Sequence, residues 1–239
     1  MIPIINIKYL FQGSYIRTIG TSRVKIASSA HIKNCKIYVY PGSELIIGEN
    51  CDLKNAEIYV NHGSFILDHD CILCGERYDP LSVIVEKGRI DIAHHSKLAC
   101  RKVWVRFGGK ITIGSYTNVN SGSEIRCDES VKIGSYNQIS YNVRIWDTNT
   151  HTILPPAERR KMAEEYFPIF GYESQKPVTR PVTVGDDCWI GENAALLKGT
   201  SIGNCCIVGY GTFICGKTID DNSCVINERK LDIRQIRHK

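Results

Sequence analysis

Nowhere in the 239 residues is there an apolar run approaching the roughly 18 that a membrane-spanning helix needs, so no membrane span is expected. No secretory leader is expected either. The segment Met1–Lys8 has no basic n-region and carries Asn6 and Lys8 early. Net charge is only +5, part of it from Arg229, Lys230, Arg234, Arg237 and Lys239, too mild an excess to indicate nucleic acid. No second Cys-x-x-Cys accompanies Cys71-x-x-Cys74, which leaves that pair weak as a zinc or redox centre. The eleven cysteines are scattered, and without a leader the reduced thiols of a cytoplasm are expected. Also absent from the C-terminal half are the turn signals and chain reversals that antiparallel sheets show about every 8–12 residues.

In their place is a period. Val184, Ile190, Leu196, Ile202, Val208 and Ile214 fall six residues apart without a break. Four residues after each anchor sits something small: Cys188, Ala194, Thr200, Cys206, Thr212 and Thr218. Gly185, Gly191, Gly203 and Gly209 follow four of the anchors directly. In extended chain, i and i+4 point to the same face. A large and a small residue inward every six positions suits a sheet wound into a coil, and a fixed period marks a solenoid. Cys51, Cys71, Cys188 and Cys206 then read as small apolar packing groups in the inward slot.

Longer coils precede this run. The stretches 40–48, 62–68, 87–93 and 107–114 each place a glycine turn before alternating apolar residues. Their glycines, Gly42, Gly63, Gly88 and Gly108, recur at the spacing of one coil. A fifth copy at 129–134 begins the anchors Ile133, Ile139 and Ile145, and six further positions land on His151. Because a solenoid grows by stacking, one elongated domain over residues 1–226 is expected, with 227–239 as a charged cap or tail. The period fails between 153 and 181. There, 155–167 reads as a short helix bounded by prolines, and 171–177 as loop. An excursion of that length is more often functional than idle.

The stretch 141–226 resembles the left-handed β-helix acyltransferases of the hexapeptide-repeat superfamily, and within it the bacterial O-acetyltransferases that decorate sugars and surface polysaccharides. The matching residues are Trp146–Ile153, then Val182–Gly191, Leu196–Gly199 and Val208–Thr212. The resemblance implies an all-β, left-handed parallel β-helix solenoid with one helical loop insertion and a short C-terminal cap. It also implies a homotrimer that uses acetyl-CoA as acyl donor and a sugar or glycan as acceptor.

In that family the histidine of the Asp-x-Asn-x-His pattern is the catalytic base, which here is His151. The chemistry agrees, since acyl transfer to a hydroxyl needs the alcohol proton removed at neutral pH, a task suited to imidazole. Asp147 and Asn149 are candidates to hold the ring tautomer, with turn capping an equal alternative for Asp147. Trp189 occupies a place where the family often keeps a tryptophan beside the thioester, and the period points it outward. A trimer-interface role suits it equally. By the same resemblance, backbone amides near Gly211 and Thr212 would meet the pantetheine arm, and Lys198 and Lys217 the phosphates. The family's usual Gly-x-Pro-Ala ending is replaced by Cys224–Lys230. No bound metal is expected.

Two other readings compete. A γ-type carbonic anhydrase on the same solenoid needs three converging zinc histidines. The chain offers His31, His62, His69, His94, His95 and His238 besides His151, but neighbours such as His94 and His95 should face opposite ways on a strand. A non-catalytic assembly module is the third possibility, and His151 beside a helical insertion argues against it.

Overall fold

The computed structural model describes residues 12–169, 173 and 175–228. Each coil contributes one short strand to each of three parallel sheets. In the first coil these are Tyr15–Thr18, Arg23–Ile26 and His31–Lys33. The chain then passes over itself in register: Tyr15 pairs with Lys36, Arg23 with Glu44 and His31 with Asp52. Nine strands stack in each sheet, and the whole is a left-handed parallel β-helix of about ten turns.

The inward column is the predicted one. All six anchors from Val184 to Ile214 are buried, as are Cys188, Ala194, Thr200, Cys206 and Thr212. Thr218 is the exception, and it is exposed. Leu197 pairs with Cys215 and Ser201 with Thr218, so the turn after Cys215 is one residue shorter than the turn above it. A one-residue slip turns every following side chain to the other face. Ile219, not Thr218, therefore packs against the core.

The small inward slot has a chemical preference as well as a size limit. Ser96 Oγ donates to the Gly114 carbonyl at 2.7 Å, Thr117 Oγ1 to that of Gly134 at 2.8 Å, and Thr200 Oγ1 to that of Ile214 at 3.2 Å. Cys188 Sγ reaches the Gly203 carbonyl at 3.1 Å and Cys206 Sγ that of Asp220 at 3.2 Å. Each of these five side chains thus satisfies a carbonyl on the following coil, which is why serine, threonine and cysteine recur there. Burial pushes the thiols of Cys35 and Cys188 up to about 11 and that of Cys100 to about 12, which keeps them un-ionised.

One of the recurrent glycines is fixed by close approach of the next coil. A Cβ on Gly63 would lie 2.3 Å from the Gly88 carbonyl oxygen.

The excursion leaves the solenoid after the first-sheet strand Arg144–Trp146 and returns at the second-sheet strand Val182–Val184. It carries α1, Pro156–Tyr166, with no buried residue, close to the expected helix over 155–167. No helix among the described residues is long and apolar enough to cross a membrane. Of the expected cap, the part from 229 onward lies outside the described residues.

Candidate active site

Every coil turns from the first sheet to the second at one corner, and the excursion is an enlargement of that corner. Its outgoing and returning arms are tied together beside the solenoid. Thr148 bridges Thr179 in antiparallel fashion, Asn149 N donates to the Val178 carbonyl at 3.0 Å, and Arg180 N to that of Asp147 at 2.9 Å. Thr179 Oγ1 also bonds Glu129 Oε2.

Beneath the arms lies a buried polar knot. The Asp147 carboxylate, fully buried, accepts the backbone N–H groups of Asp128, Glu129 and Ser130 at 2.8, 2.7 and 2.7 Å. Burial pushes its carboxyl above the ordinary carboxylate range, and these three donors oppose the shift. Arg106 makes a bidentate pair with Asp128, both contacts at 2.9 Å, and Arg106 Nη2 also reaches the Thr150 carbonyl at 3.2 Å. Thr148 Oγ1 donates to Asp128 Oδ2 at 2.6 Å and accepts from Thr150 N at 3.0 Å. Residues 147–150 are thereby fixed to the coil before them. His151 follows immediately, on a rigid stalk.

The imidazole does not take the partner expected of it. His151 Nδ1 lies 2.6 Å from Glu173 Oε1, while Glu173 Oε2 accepts Thr152 N at 3.2 Å. Asp147 is occupied by three backbone amides and turned into the solenoid, so it caps a turn and does not orient the ring. Asn149 is held through its backbone, and neither it nor Asp147 is the partner of Nδ1. The glutamate side chain is only 9 % exposed, whereas that of His151 is 61 % exposed. A fixed carboxylate on Nδ1 leaves Nε2 available to a substrate proton. Beside the pair opens a cavity of about 490 Å³ between the outgoing arm and α1, lined by His151, Leu154, Arg159, Met162, Tyr166 and Glu173 among others.

The residues expected to meet the acyl donor lie elsewhere on the solenoid, and none lines this cavity. Trp189 is 56 % exposed on the third sheet, between Gln138 and Ile207, pointing outward as its place beside an anchor requires. Gly211 and Thr212 form the corner from the third sheet back to the first. Their amides are already used, Gly211 N by the Glu192 carbonyl at 2.8 Å and Thr212 N by that of Gly209 at 3.3 Å. The Thr212 side chain is fully buried, because four residues after an anchor means inward. These two residues therefore present no amide to a pantetheine arm in this conformation.

Lys198 and Lys217 sit at the same corner as the excursion, on the next two coils. Sequence reasoning missed Arg180, whose side chain lies over Gly199 and Gly216, the chain neighbours of these lysines. A Cβ on Gly199 would come 3.1 Å from Arg180 Nε, and one on Gly216 3.2 Å from Arg180 Nη2. Glu173, Arg106 and Asp128 were missed as well. Glu173 sits in aperiodic chain, and the other two follow the solenoid's own period with nothing local to set them apart.

Comparison with known proteins follows the repeat. Residues 181–216 match the bacterial transferase hexapeptide (six repeats) family. Over 137 residues, 57 % of this chain, the sequence is 26 % identical to a probable acetyltransferase of Mycobacterium tuberculosis. The match covers 39 % of that protein, so the chain spans about two fifths of the relative's length. Among solved structures, the polySia-specific acetyltransferase NeuO aligns with a TM-score of 0.50 at 17 % identity, covering 87 % of this chain and 76 % of that one. The polysialic acid O-acetyltransferase OatWY aligns with a TM-score of 0.42 at 15 % identity, covering 87 % and 79 %. The likeness to NeuO is one of fold. The chain resembles the hexapeptide-repeat acyltransferases.

Proposed function

We infer that this hexapeptide-repeat chain is an acetyl-CoA-dependent O-acetyltransferase acting on a sugar or surface-glycan hydroxyl, with His151 as general base. The observation that carries the reading is the His151–Glu173 pair at 2.6 Å, mounted on a rigid stalk and facing a cavity. As the acceptor hydroxyl attacks the thioester carbonyl, its proton passes to His151 Nε2 and Glu173 stabilises the resulting imidazolium. The CoA thiolate leaves and recovers the proton from the ring. Glu173 acts through His151, so it is a positioning residue. No thiol is required, and Cys35, Cys51, Cys71, Cys100, Cys127, Cys188 and Cys206 are buried packing groups.

The acceptor is assigned to the cavity beside α1, where Arg159 offers a charge suited to an acidic glycan and Tyr166 an apolar face for a sugar ring. Arg180, Lys198 and Lys217 form a cationic corner for the CoA phosphates. The protein is proposed to act as a homotrimer. Trp189, Ile207, Tyr210 and Phe213 are 42–70 % exposed on consecutive coils, more outward apolar surface than a lone solenoid sensibly leaves in water. In the resembled family the active site spans two subunits, and a neighbour's Trp189 is accordingly proposed to complete the His151 cavity, which the chain's own Trp189 does not line.

The test is CoA release from acetyl-CoA across a panel of activated sugars and glycans, for the wild type and for His151→Ala. Acceptor-dependent release that falls by roughly 10²–10⁴-fold in the variant is expected for loss of a general base. Transfer at the wild-type rate by His151→Ala would overturn the mechanism.

A further inference from the structure

At the corner from the second sheet to the third, far round the coil from the excursion, three titratable side chains converge. One nitrogen each of His69 and His95 and a carboxylate oxygen of Asp70 lie within 4.8 Å of one another. His69 Nδ1 is 2.6 Å from Asp70 Oδ2, and Asn50 Nδ2 donates to Asp70 Oδ1 at 3.1 Å. His94 Nδ1 stands 3.0 Å from His95 Nδ1. His94 and His95 do not face opposite ways as strand neighbours would. They occupy the turn between the strands Arg89–Ile92 and Lys97–Leu98, and His95 takes a φ of 57°.

What this corner does on other coils is the informative contrast. On the C-terminal coils its leading position carries Asp186, Asn204 and Asp221. Asp186 Oδ1 accepts Ser135 N at 2.7 Å, Asn204 Oδ1 accepts Asp186 N at 2.8 Å, and Asp221 Oδ1 accepts Asn204 N at 2.7 Å. That ladder ties each turn to its neighbour. His69 and His94 hold the same position on their coils, and their rings instead stack at 5.0 Å with an interplanar angle of 1°. Tyr116 stacks on His95 at 4.8 Å, and Tyr136 on Tyr116 at 5.1 Å. The ligating ring is thus buttressed from one side, and the carboxylate is oriented by an amide from the other. Supports of this kind hold first-sphere ligands in metal sites.

We propose that His69, Asp70 and His95 bind a divalent late first-row metal ion, Zn²⁺ in the first instance, as a clip between two successive turns of the solenoid. Two imidazoles and a carboxylate with no thiolate suit Zn²⁺, Ni²⁺ or Cu²⁺ over Mg²⁺ or Ca²⁺. Bonds of about 2.0–2.2 Å require donors roughly 3–4 Å apart, which side-chain rotation at these exposed residues supplies. Both histidines are exposed, so water completes the coordination sphere. The site lies at a different corner from His151 and takes no part in acyl transfer.

The experiment uses tag-free, chelator-treated full-length protein titrated calorimetrically with ZnCl₂. One equivalent per chain with micromolar affinity, and a Zn²⁺-dependent rise in melting temperature, are expected. His69→Ala and His95→Ala should each weaken binding by at least tenfold and abolish that rise, with CoA release unchanged. His31→Ala, an exposed histidine outside the cluster, should bind as the wild type does. Affinity weaker than millimolar, or binding unaltered in both cluster variants, would overturn the proposal. Since CoA release is read separately, its failure leaves the acetyltransferase assignment standing, and the reverse.

Discussion

Replacing Glu173 by glutamine separates orientation of the base from its presence. The carboxylate does two things at once: Oε1 meets His151 Nδ1 at 2.6 Å and Oε2 accepts Thr152 N at 3.2 Å. A glutamine amide can accept only through its single oxygen. If that oxygen stays on the imidazole, the amide NH₂ faces the Thr152 N–H and two donors oppose one another. If the amide flips, its NH₂ donates to Nδ1, the proton moves to Nε2, and the ring can no longer act as a base there. Either outcome removes one charge-assisted hydrogen bond, worth about 1.5–3 kcal/mol. At about 1.4 kcal/mol per decade, kcat should fall by roughly 10- to 150-fold with KM for acetyl-CoA nearly unchanged. That reaches only the low end of the roughly 10²–10⁴-fold effect expected of His151→Ala, which removes the base itself. Cys205 and Cys224 are exposed and would react with a thiol reagent, so CoA is better quantified by chromatography. Wild-type kcat in Glu173→Gln would refute the orienting role, and a loss confined to KM would make Glu173 a binding group.

Asp147→Ala leaves three buried or half-buried backbone N–H groups without an acceptor, at about 1–3 kcal/mol each. Chemical denaturation should register a loss of roughly 3 kcal/mol or more, and a loss under about 1 would mean that water replaces the carboxylate freely. Lys217→Ala should weaken binding of CoA more than that of a truncated pantetheine thioester, because only CoA carries the phosphates; equal losses would remove Lys217 from the phosphate site. Light scattering at micromolar concentration should give a trimer mass, and a monomer mass there would contradict the shared-site arrangement. Deleting 155–177 removes α1 and Glu173 together, so sugar transfer should vanish while slow His151-dependent hydrolysis of acetyl-CoA persists at a reduced rate. Complete loss of hydrolysis and unfolding of the coils would make the segment structural.

The solenoid was legible in the sequence because its determinants are local and repeated. A side chain's face depends on parity along a strand, so Val184 through Ile214 declare their inward column without knowledge of any partner. The inward small slot could be read for the same reason, as could the outward Trp189 and the break in period at 153. His151 emerged where the count of six ran into that break. Parity also explains the one failure inside the repeat, since a single residue fewer after Cys215 turned Thr218 outward, and no apolar signal nearby announced it.

Tertiary structure decided which groups meet across coils and across the excursion. Asp147 and Glu173 are both acidic and both close to the histidine, Asp147 the nearer in sequence. Only the folded chain shows Asp147 turned inward onto three amides and Glu173 brought back by α1 to the imidazole. Arg180 reaches Gly199 and Gly216, and His69 reaches His95, because coil length sets which residues stack. Coil length varies between turns, so it is a property of the wound chain and not of any six-residue window.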